Sequence, residues 1–290
     1  MVLTPAWLAA LFVAGVFAGG LGAIVGIGGG VVLVPLLVLV FHVHMHTAIS
    51  TSLVAVVATS TAAGGTYVGS GLANMRLGMS LEVATCIGGI SGSLVALLVS
   101  GSVLAVVFSA MMLVSAVLLA RGRDREGPVA PSERDGPALT PMERRGSLEG
   151  VYWDDGLRQA VAYRAEHFGY GSAVALFAGA VSGLLGVGGG FLKVPAMTLF
   201  MKVPIRVAAA TSNFMIGVTA VASLFVYFVR GTVHPTLVAP IALGVTAGAL
   251  FGTHLAKRLS SRTLRWLLAA LLVLVAVQML VRAARGGLVT

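Results

Sequence analysis

A glycine-rich motif occurs twice in the chain, as GIGGGVVLVP at Gly26–Pro35 and as GVGGGFLKVP at Gly186–Pro195. The offset of 160 residues between the two copies also aligns, without a gap, Ala48, Thr51 and Ser52 with Ala208, Thr211 and Ser212. Chance similarity between segments rich in glycine and valine does not easily keep one register over so many residues. The sequence therefore predicts an internal duplication in which each half contains one copy of the motif.

The residues around the two motifs are too apolar for a soluble protein. Hydrophobic residues make up 58% of the chain and charged residues only 10%, whereas a soluble surface needs roughly a quarter of its residues charged. Besides the uncharged stretch from Met1 to Phe41, helical runs are predicted at 47–70, 79–100, 102–120, 170–185, 191–202, 207–229, 236–256 and 263–281. These runs do not alternate in polarity as barrel strands do. We therefore expect an all-α polytopic membrane protein.

The middle of the chain differs from both ends. Nine of the ten acidic residues and four of the ten prolines lie between Arg121 and Tyr170. The sequence thus predicts three parts, which are a first membrane repeat at 1–120, a linker segment at 121–169 and a second membrane repeat at 170–290. Within the linker, residues 142–168 could form a short amphipathic helix at the membrane surface, and the simpler alternative is a mobile connection between the halves.

The distribution of Lys and Arg predicts how the repeats face the membrane. Suppose that each glycine-broken unit enters the membrane and comes back, either as a re-entrant hairpin or as two crossings. The side of the central segment then contains Arg76, Lys202, Arg206, Lys257, Arg258, Arg262 and Arg265, and the other side contains Arg230, Arg282 and Arg285. Single crossings would divide the same residues without a bias. Because basic loops face the cytoplasm, we expect two inverted repeats in the cytoplasmic membrane, each with three transmembrane helices after its broken unit. The central segment is then cytoplasmic and both termini are non-cytoplasmic.

The two glycine clusters are candidate sites for an anion. They comprise Gly28, Gly29 and Gly30 in the first half and Gly188, Gly189 and Gly190 in the second. A helix that begins directly after such a cluster points unpaired N–H groups and a partial positive charge toward the break, which binds an anion without a formal charge. Glycine also permits close helix packing, and this interpretation is favoured for Gly15, Gly19, Gly22, Gly88, Gly92, Gly248 and Gly252.

Short polar runs follow the two clusters at matching positions. They consist of Ser50, Thr51 and Ser52 in the first half and of Thr211, Ser212 and Asn213 in the second. Hydroxyl and amide donors suit the coordination of an oxyanion without strong trapping. The alternative is that these side chains cap helices or bond to the backbone.

Lys193 breaks the symmetry of the two motifs. It lies three residues after the second cluster, where the first half has Leu33. An ammonium group within an apolar span is costly and is therefore a candidate for function, and the alternative is that it snorkels toward the interface. Glu82 is the only carboxylate near a predicted span. We therefore expect Lys193 to bind the anion with no carboxylate as its partner, and we expect no carboxylate proton relay.

Other classes of function find less support in the sequence. His42, His44 and His46 alternate in a predicted loop and could bind a metal if that loop were extended, but acidic ligands are missing, so neither a metal nor a cofactor is expected. The predicted spans contain no Ser/His/Asp constellation, which argues against an enzyme. The basic excess is that of a membrane protein facing anionic headgroups, which argues against nucleic-acid binding. The expected partners are a small anion and the lipid bilayer.

The paired motif resembles the TauE/SafE family of sulfite exporters and related sulfur-anion permeases. The resemblance rests on Gly26–Pro35, Gly186–Pro195 and the polar runs that follow them, and it leaves out the central segment. It implies a permease that exports a small sulfur oxyanion, such as sulfite or an organosulfonate, by alternating access. Uptake of thiosulfate or of another small anion is an alternative, and a metal-cation carrier that uses the three histidines is a different class.

Overall fold

A computed structural model describes residues 4–25, 28–69, 73–121, 148–154, 159–256 and 261–284. The elements in these ranges are α1 (Pro5–Val25), α2 (Gly30–Leu39), α3 (Met45–Gly69), α4 (Met75–Leu98), α5 (Gly101–Arg121), β1 (Glu149–Asp154), β2 (Gln159–Arg164), α6 (Phe168–Leu185), α7 (Gly190–Pro195) with a π-helical turn (Ala196–Phe200), α8 (Ile205–Val229), α9 (Pro235–Ala256) and α10 (Ser261–Ala284). Within the described residues, six helices are long and apolar enough to cross a membrane. The prediction of an all-α polytopic membrane protein is confirmed.

The described part of the central segment forms two strands and not the amphipathic helix considered for 142–168. β1 pairs with β2 in an antiparallel register that runs from Glu149 opposite Arg164 to Asp154 opposite Gln159. The prediction of a helix was wrong here because β1 and β2 are both rich in valine and aromatic residues, which favour strands. Pairing of the two strands also satisfies backbone groups that a helix would have satisfied internally.

Each glycine-broken unit returns to the face of the protein where it began. In the first half, the Trp7 and Phe41 rings meet edge to face with their centroids 6.1 Å apart, so the start of α1 lies beside the end of α2. In the second half, the Glu166 N–H donates to the Met201 carbonyl at 3.1 Å. α2 has 10 residues and is therefore about 15 Å long, which is about half the thickness of the hydrocarbon core. This geometry favours a hairpin over two full crossings.

The helices of the two halves pack in matching pairs. α1 packs against α9 as α6 packs against α4, while α3 crosses α8 and α5 packs against α10. Exchange of each helix with its counterpart in the other half reproduces these four pairings. α3 and α8 run in opposite directions, because Ser50 Oγ donates to the Thr232 carbonyl at 3.0 Å and Ser60 Oγ donates to the Asn213 carbonyl at 2.6 Å.

Glycines make the closest contacts between the paired helices. A Cβ on Gly88 or Gly92 of α4 would overlap the backbone of α6, and a Cβ on Gly19 of α1 would overlap the backbone of Val245 in α9. Small residues of this kind let helix backbones approach closely in a membrane. The packing interpretation is confirmed for Gly15, Gly19, Gly22, Gly88, Gly92, Gly248 and Gly252, since each would bring a Cβ into a neighbouring backbone.

Candidate substrate site

Glycines in the left-handed conformation reverse the chain at both breaks. Gly28 has φ 76°, Gly188 has φ 80° and Gly189 has φ 69°, and side chains other than glycine rarely adopt such values. α2 begins at Gly30 and α7 begins at Gly190, directly after the reversals. Because the first N–H groups of a helix have no partner within it, both breaks present backbone donors inside the protein.

The two breaks meet where α3 crosses α8. Val56 and Ile216 occupy equivalent positions of the two halves, and both lie beside both breaks. A Cβ on Gly28 would lie 3.7 Å from each of these side chains, and a Cβ on Gly188 would lie 3.0 Å from Val56 and 2.6 Å from Ile216. The structure thus brings the two predicted glycine clusters to one place between the halves.

A small cavity lies beside the first break and is lined by both halves. Its lining consists of Gly22, Ala23, Gly28, Thr59, Ser60, Asn213 and Ile216. Gly28 and Asn213 are predicted site residues, whereas Thr59 and Ser60 were missed from the sequence. Thr59 lies seven residues beyond Ser52 on α3 and therefore shares its helix face. That periodicity is the signal that could have found it.

Two of the predicted hydroxyl residues bond across the boundary between the halves. Besides the bond of Ser50 to Thr232, the Ser52 hydroxyl donates to the Gly186 carbonyl at 2.7 Å. Both serines are fully buried. Their protons are therefore directed at carbonyl oxygens, which is the backbone-bonding role that the sequence left open as the alternative.

Thr211 connects the site region to the strand hairpin. Its Oγ1 accepts a hydrogen bond from the Asn74 backbone N–H at 2.9 Å, and Asn74 Nδ2 donates to the Tyr163 hydroxyl at 2.9 Å. Burial raises the pKa of Tyr163, and the hydrogen bond with Asn74 partly offsets this. In contrast, Thr51 Oγ1 and Ser212 Oγ are buried without a hydrogen-bond partner among the described residues, and neither residue lines the cavity beside the first break.

Lys193 is neither unpaired nor directed toward the membrane interface. It is 2% exposed, and its Nζ donates to Thr219 Oγ1 at 2.7 Å. The Thr219 hydroxyl donates in turn to Glu82 Oε1 at 2.6 Å. The expectation that Lys193 has no carboxylate partner was wrong, because α4, α7 and α8 bring together residues that are far apart in the sequence. Lys193 is not part of the lining of the cavity beside the first break.

Two of the three predicted histidines, His42 before α3 and His46 in its first turn, make contacts with other parts of the protein. His46 Nε2 lies 3.0 Å from the Ala96 carbonyl oxygen. Arg282 Nη2 lies 3.0 Å from His42 Nε2. Arg282 Nη1 donates to the Leu39 carbonyl at 3.0 Å, so the guanidinium group caps the C-terminus of α2. Among the described residues, no group of three or more His, Cys, Asp or Glu side chains is placed to hold a metal ion.

The sequence matches the family model of the sulfite exporter TauE/SafE over residues 11–279. The chain belongs to this family. The TauE/SafE chain is 26% identical over 278 residues to the probable membrane transporter protein YunE of Bacillus subtilis (strain 168), which covers 93% of this chain and 96% of YunE. It is 28% identical over 239 residues to a probable membrane transporter protein of Xylella fastidiosa (strain 9a5c), which covers 82% of this chain and 80% of the relative. No solved structure matches the chain.

The family match confirms the resemblance that the paired motif suggests. It includes both glycine clusters, both polar runs and Lys193. This TauE/SafE protein is therefore a multi-pass membrane transporter, and both of its glycine breaks lie within the matched residues.

Proposed function

We propose that this TauE/SafE protein exports a small sulfur oxyanion, such as sulfite or an organosulfonate, across the cytoplasmic membrane by alternating access. The observation that carries the proposal is the convergence of both glycine breaks on one place between the halves. Gly28 and Asn213 line the cavity there. Backbone N–H groups at helix starts and an amide side chain together provide neutral donors that suit an anion.

Neutral donors also allow the anion to leave again. A fixed positive charge would bind an oxyanion strongly inside a membrane, where charges are poorly screened. The buried hydroxyl of Ser212, which lacks a protein partner among the described residues and lies 3.5 Å from a Cβ placed on Gly190 of the second break, adds a donor without adding charge. A site of this kind binds the anion in place of its hydration water and releases it when the access changes.

The proposed mechanism requires that the halves be inverted with respect to each other. α3 and α8 are counterparts in the duplication, yet the contacts of Ser50 and Ser60 show that they run in opposite directions. The opposite directions of this helix pair support an inverted architecture, in which transporters hold substrate near the membrane midplane and rock one half against the other.

The inverted arrangement predicts the sides on which two positions can be labelled. In a background with Cys86 replaced by serine, Arg134→Cys is expected to react with a membrane-impermeant thiol reagent only from the cytoplasm, and Leu288→Cys only from the outside. Labelling in intact cells and in inverted vesicles measures this directly. If both cysteines react from the same side, the halves are not inverted as proposed.

Replacement of Asn213 by leucine tests the site itself. The equivalent residue of the first half is Leu53, which is fully buried, so this fold already accommodates leucine at such a position. We expect Asn213→Leu to lower the flux of labelled sulfite into proteoliposomes by about tenfold or more, because a hydrogen bond to a charged group contributes about 1.5–3 kcal/mol. The thermal stability of the purified protein should change little.

The matched control is Thr246→Ala, which removes a half-buried hydroxyl that donates to the Ala242 carbonyl of its own helix. This control should retain the parental sulfite flux. A panel of labelled sulfite, organosulfonate, thiosulfate and divalent metal ions in the same proteoliposomes separates export of a sulfur oxyanion from the uptake of thiosulfate and from a metal carrier. Equal flux in Asn213→Leu and in the parental protein would remove Asn213 from the site.

A further inference from the structure

An acid–base cluster lies buried between α4, α7 and α8. It consists of Glu82, Thr85 and Cys86 of α4, Lys193 of α7 and Thr219 of α8. Lys193 Nζ donates to Thr219 Oγ1 at 2.7 Å, and the Thr219 hydroxyl donates to Glu82 Oε1 at 2.6 Å. Thr85 Oγ1 lies 3.3 Å from Thr219 Oγ1, and Cys86 Sγ donates to Glu82 Oε1 at 3.5 Å. The polar contacts that described residues make to the carboxylate therefore converge on one of its two oxygens.

The second oxygen of Glu82 has no hydrogen-bond partner in the part of the chain that the structure describes. Oε2 is buried without a hydrogen-bond partner among the described residues, and the Glu82 side chain is only 4% exposed. A buried carboxylate oxygen without a hydrogen bond is costly, and the cost is greater within a membrane. A proton on Oε2 lowers this cost, because it makes the group neutral.

The cluster occurs only once in the duplicated fold, where α4 of the first half meets α7 and α8 of the second. At the equivalent positions, where α9 meets α2 and α3, the chain has Leu33, Thr59, Ala242, Val245 and Thr246. Leu33 and Val245 are fully buried there. The fold thus forms the same helix contacts without the carboxylate and the ammonium, so packing alone does not account for the charged pair.

We propose that Glu82 is a proton-binding site that couples proton movement to the movement of the anion, an inference that rests on the proposed anion transport. With Glu82 ionised and Lys193 protonated, the cluster has no net charge. When a proton from one side of the membrane binds Oε2, the carboxylate becomes a neutral acid and the cluster has one positive charge from Lys193. An anion in the neighbouring site then becomes more stable, and departure of the anion favours release of the proton.

The cluster is placed to sense the substrate site through two elements. α7 follows directly after Gly188–Gly190, and α8 carries Thr219 three residues beyond Ile216, which lines the cavity. Among the described residues, the titratable groups that interact with the Glu82 carboxylate are Lys193 of α7 and Cys86 of α4 itself. α8 contributes the uncharged Thr219, and α6 meets α4 through small residues such as Gly179 and Gly183. The proton and the anion therefore interact mainly through Lys193 and Thr219.

Glu82→Gln separates proton coupling from anion binding. Glutamine keeps an acceptor for Thr219 but cannot take up and release a proton. Proteoliposomes are loaded at one pH and diluted into buffer of another pH to set a gradient. We expect the gradient-driven accumulation of labelled sulfite to fall by about 5- to 150-fold, which is the range that coupling free energies of ordinary size give. Exchange of labelled for unlabelled sulfite at equal pH on both sides should persist, because exchange needs no net proton movement. Glu149→Gln, outside the membrane in β1, is the matched control.

Infrared difference spectroscopy of the purified protein tests the proton site without any substrate. Acidification should produce a carboxylic-acid C=O band that Glu82→Gln removes and Glu149→Gln retains. If no such band depends on Glu82, or if Glu82→Gln accumulates sulfite along a pH gradient as the parental protein does, the inference is overturned. If the parental protein transports no anion of the panel, the proposed function fails while the infrared titration still decides whether Glu82 binds a proton.

Discussion

Lys193→Met is expected to destabilise the protein and to abolish most of its transport. The substitution removes the ammonium that compensates the buried Glu82 carboxylate, and Thr219 then has no cation to accept from. Removal of one partner of a buried ion pair costs about 3–5 kcal/mol in soluble proteins. We expect a clear fall in the thermal unfolding midpoint of the detergent-solubilised protein at neutral pH, together with loss of sulfite flux.

The double variant Lys193→Leu with Glu82→Ala is the control for this prediction. It replaces each residue by its counterpart in the other half, Lys193 by the leucine of position 33 and Glu82 by the alanine of position 242, and it leaves no uncompensated charge. We expect the double variant to unfold near the parental temperature while remaining defective in gradient-driven transport. A single Lys193→Met variant that is as stable as the parental protein would show that the cluster does not hold a charged pair.

Gly92→Val is expected to prevent formation of the folded protein. A Cβ at this position overlaps the backbone of Ala180, with its Cα at 2.8 Å and its carbonyl carbon at 2.7 Å, and a helix backbone cannot move aside as a side-chain end can. Overpacking of a core that can relax costs about 1–3 kcal/mol, and the cost here must exceed that range because α4 and α6 would have to separate. Size-exclusion chromatography of the solubilised protein should show loss of the monodisperse species.

Gly169→Ala is the control for the glycine prediction, since a Cβ there meets nothing within 4 Å. It lies in the first turn of α6, so it tests a glycine of the same helix pair without a close contact. We expect it to be purified in the same amount as the parental protein. Normal recovery of Gly92→Val would mean that α4 and α6 do not pack as closely as the structure has them.

The helices could be predicted because their signal is local. A run of about 20 apolar residues has few stable alternatives in a bilayer, and the glycine clusters interrupt that signal at the positions where the breaks occur. The strand pair could not be predicted in this way. Val151 and Trp153 fit an amphipathic helix as well as a strand, and the choice depends on the partner strand at Gln159–Arg164.

The candidate site could be predicted only in part, because some of its contacts depend on residues that are far apart in the sequence. The duplication identifies Gly28 and Gly188 because two copies of one motif are visible in one chain. The pairing of Lys193 with Glu82 is invisible along the chain, since it depends on how α4 and α7 pack around α8. A single carboxylate in an apolar sequence suggested that no partner existed, whereas one carboxylate and one ammonium are enough when the fold brings them together.

The packing of helices of one half against helices of the other has a consequence for how the protein is synthesised. α1 packs its glycine face on α9, and α6 packs its own on α4, so each half completes the other. During synthesis, α1 enters the membrane long before the ribosome has translated α9. Until then, the glycine face of α1 has no helix packed against it. That face is covered only when α9 has been inserted and packs on α1, so the first half reaches its final packing only after most of the second half has been made.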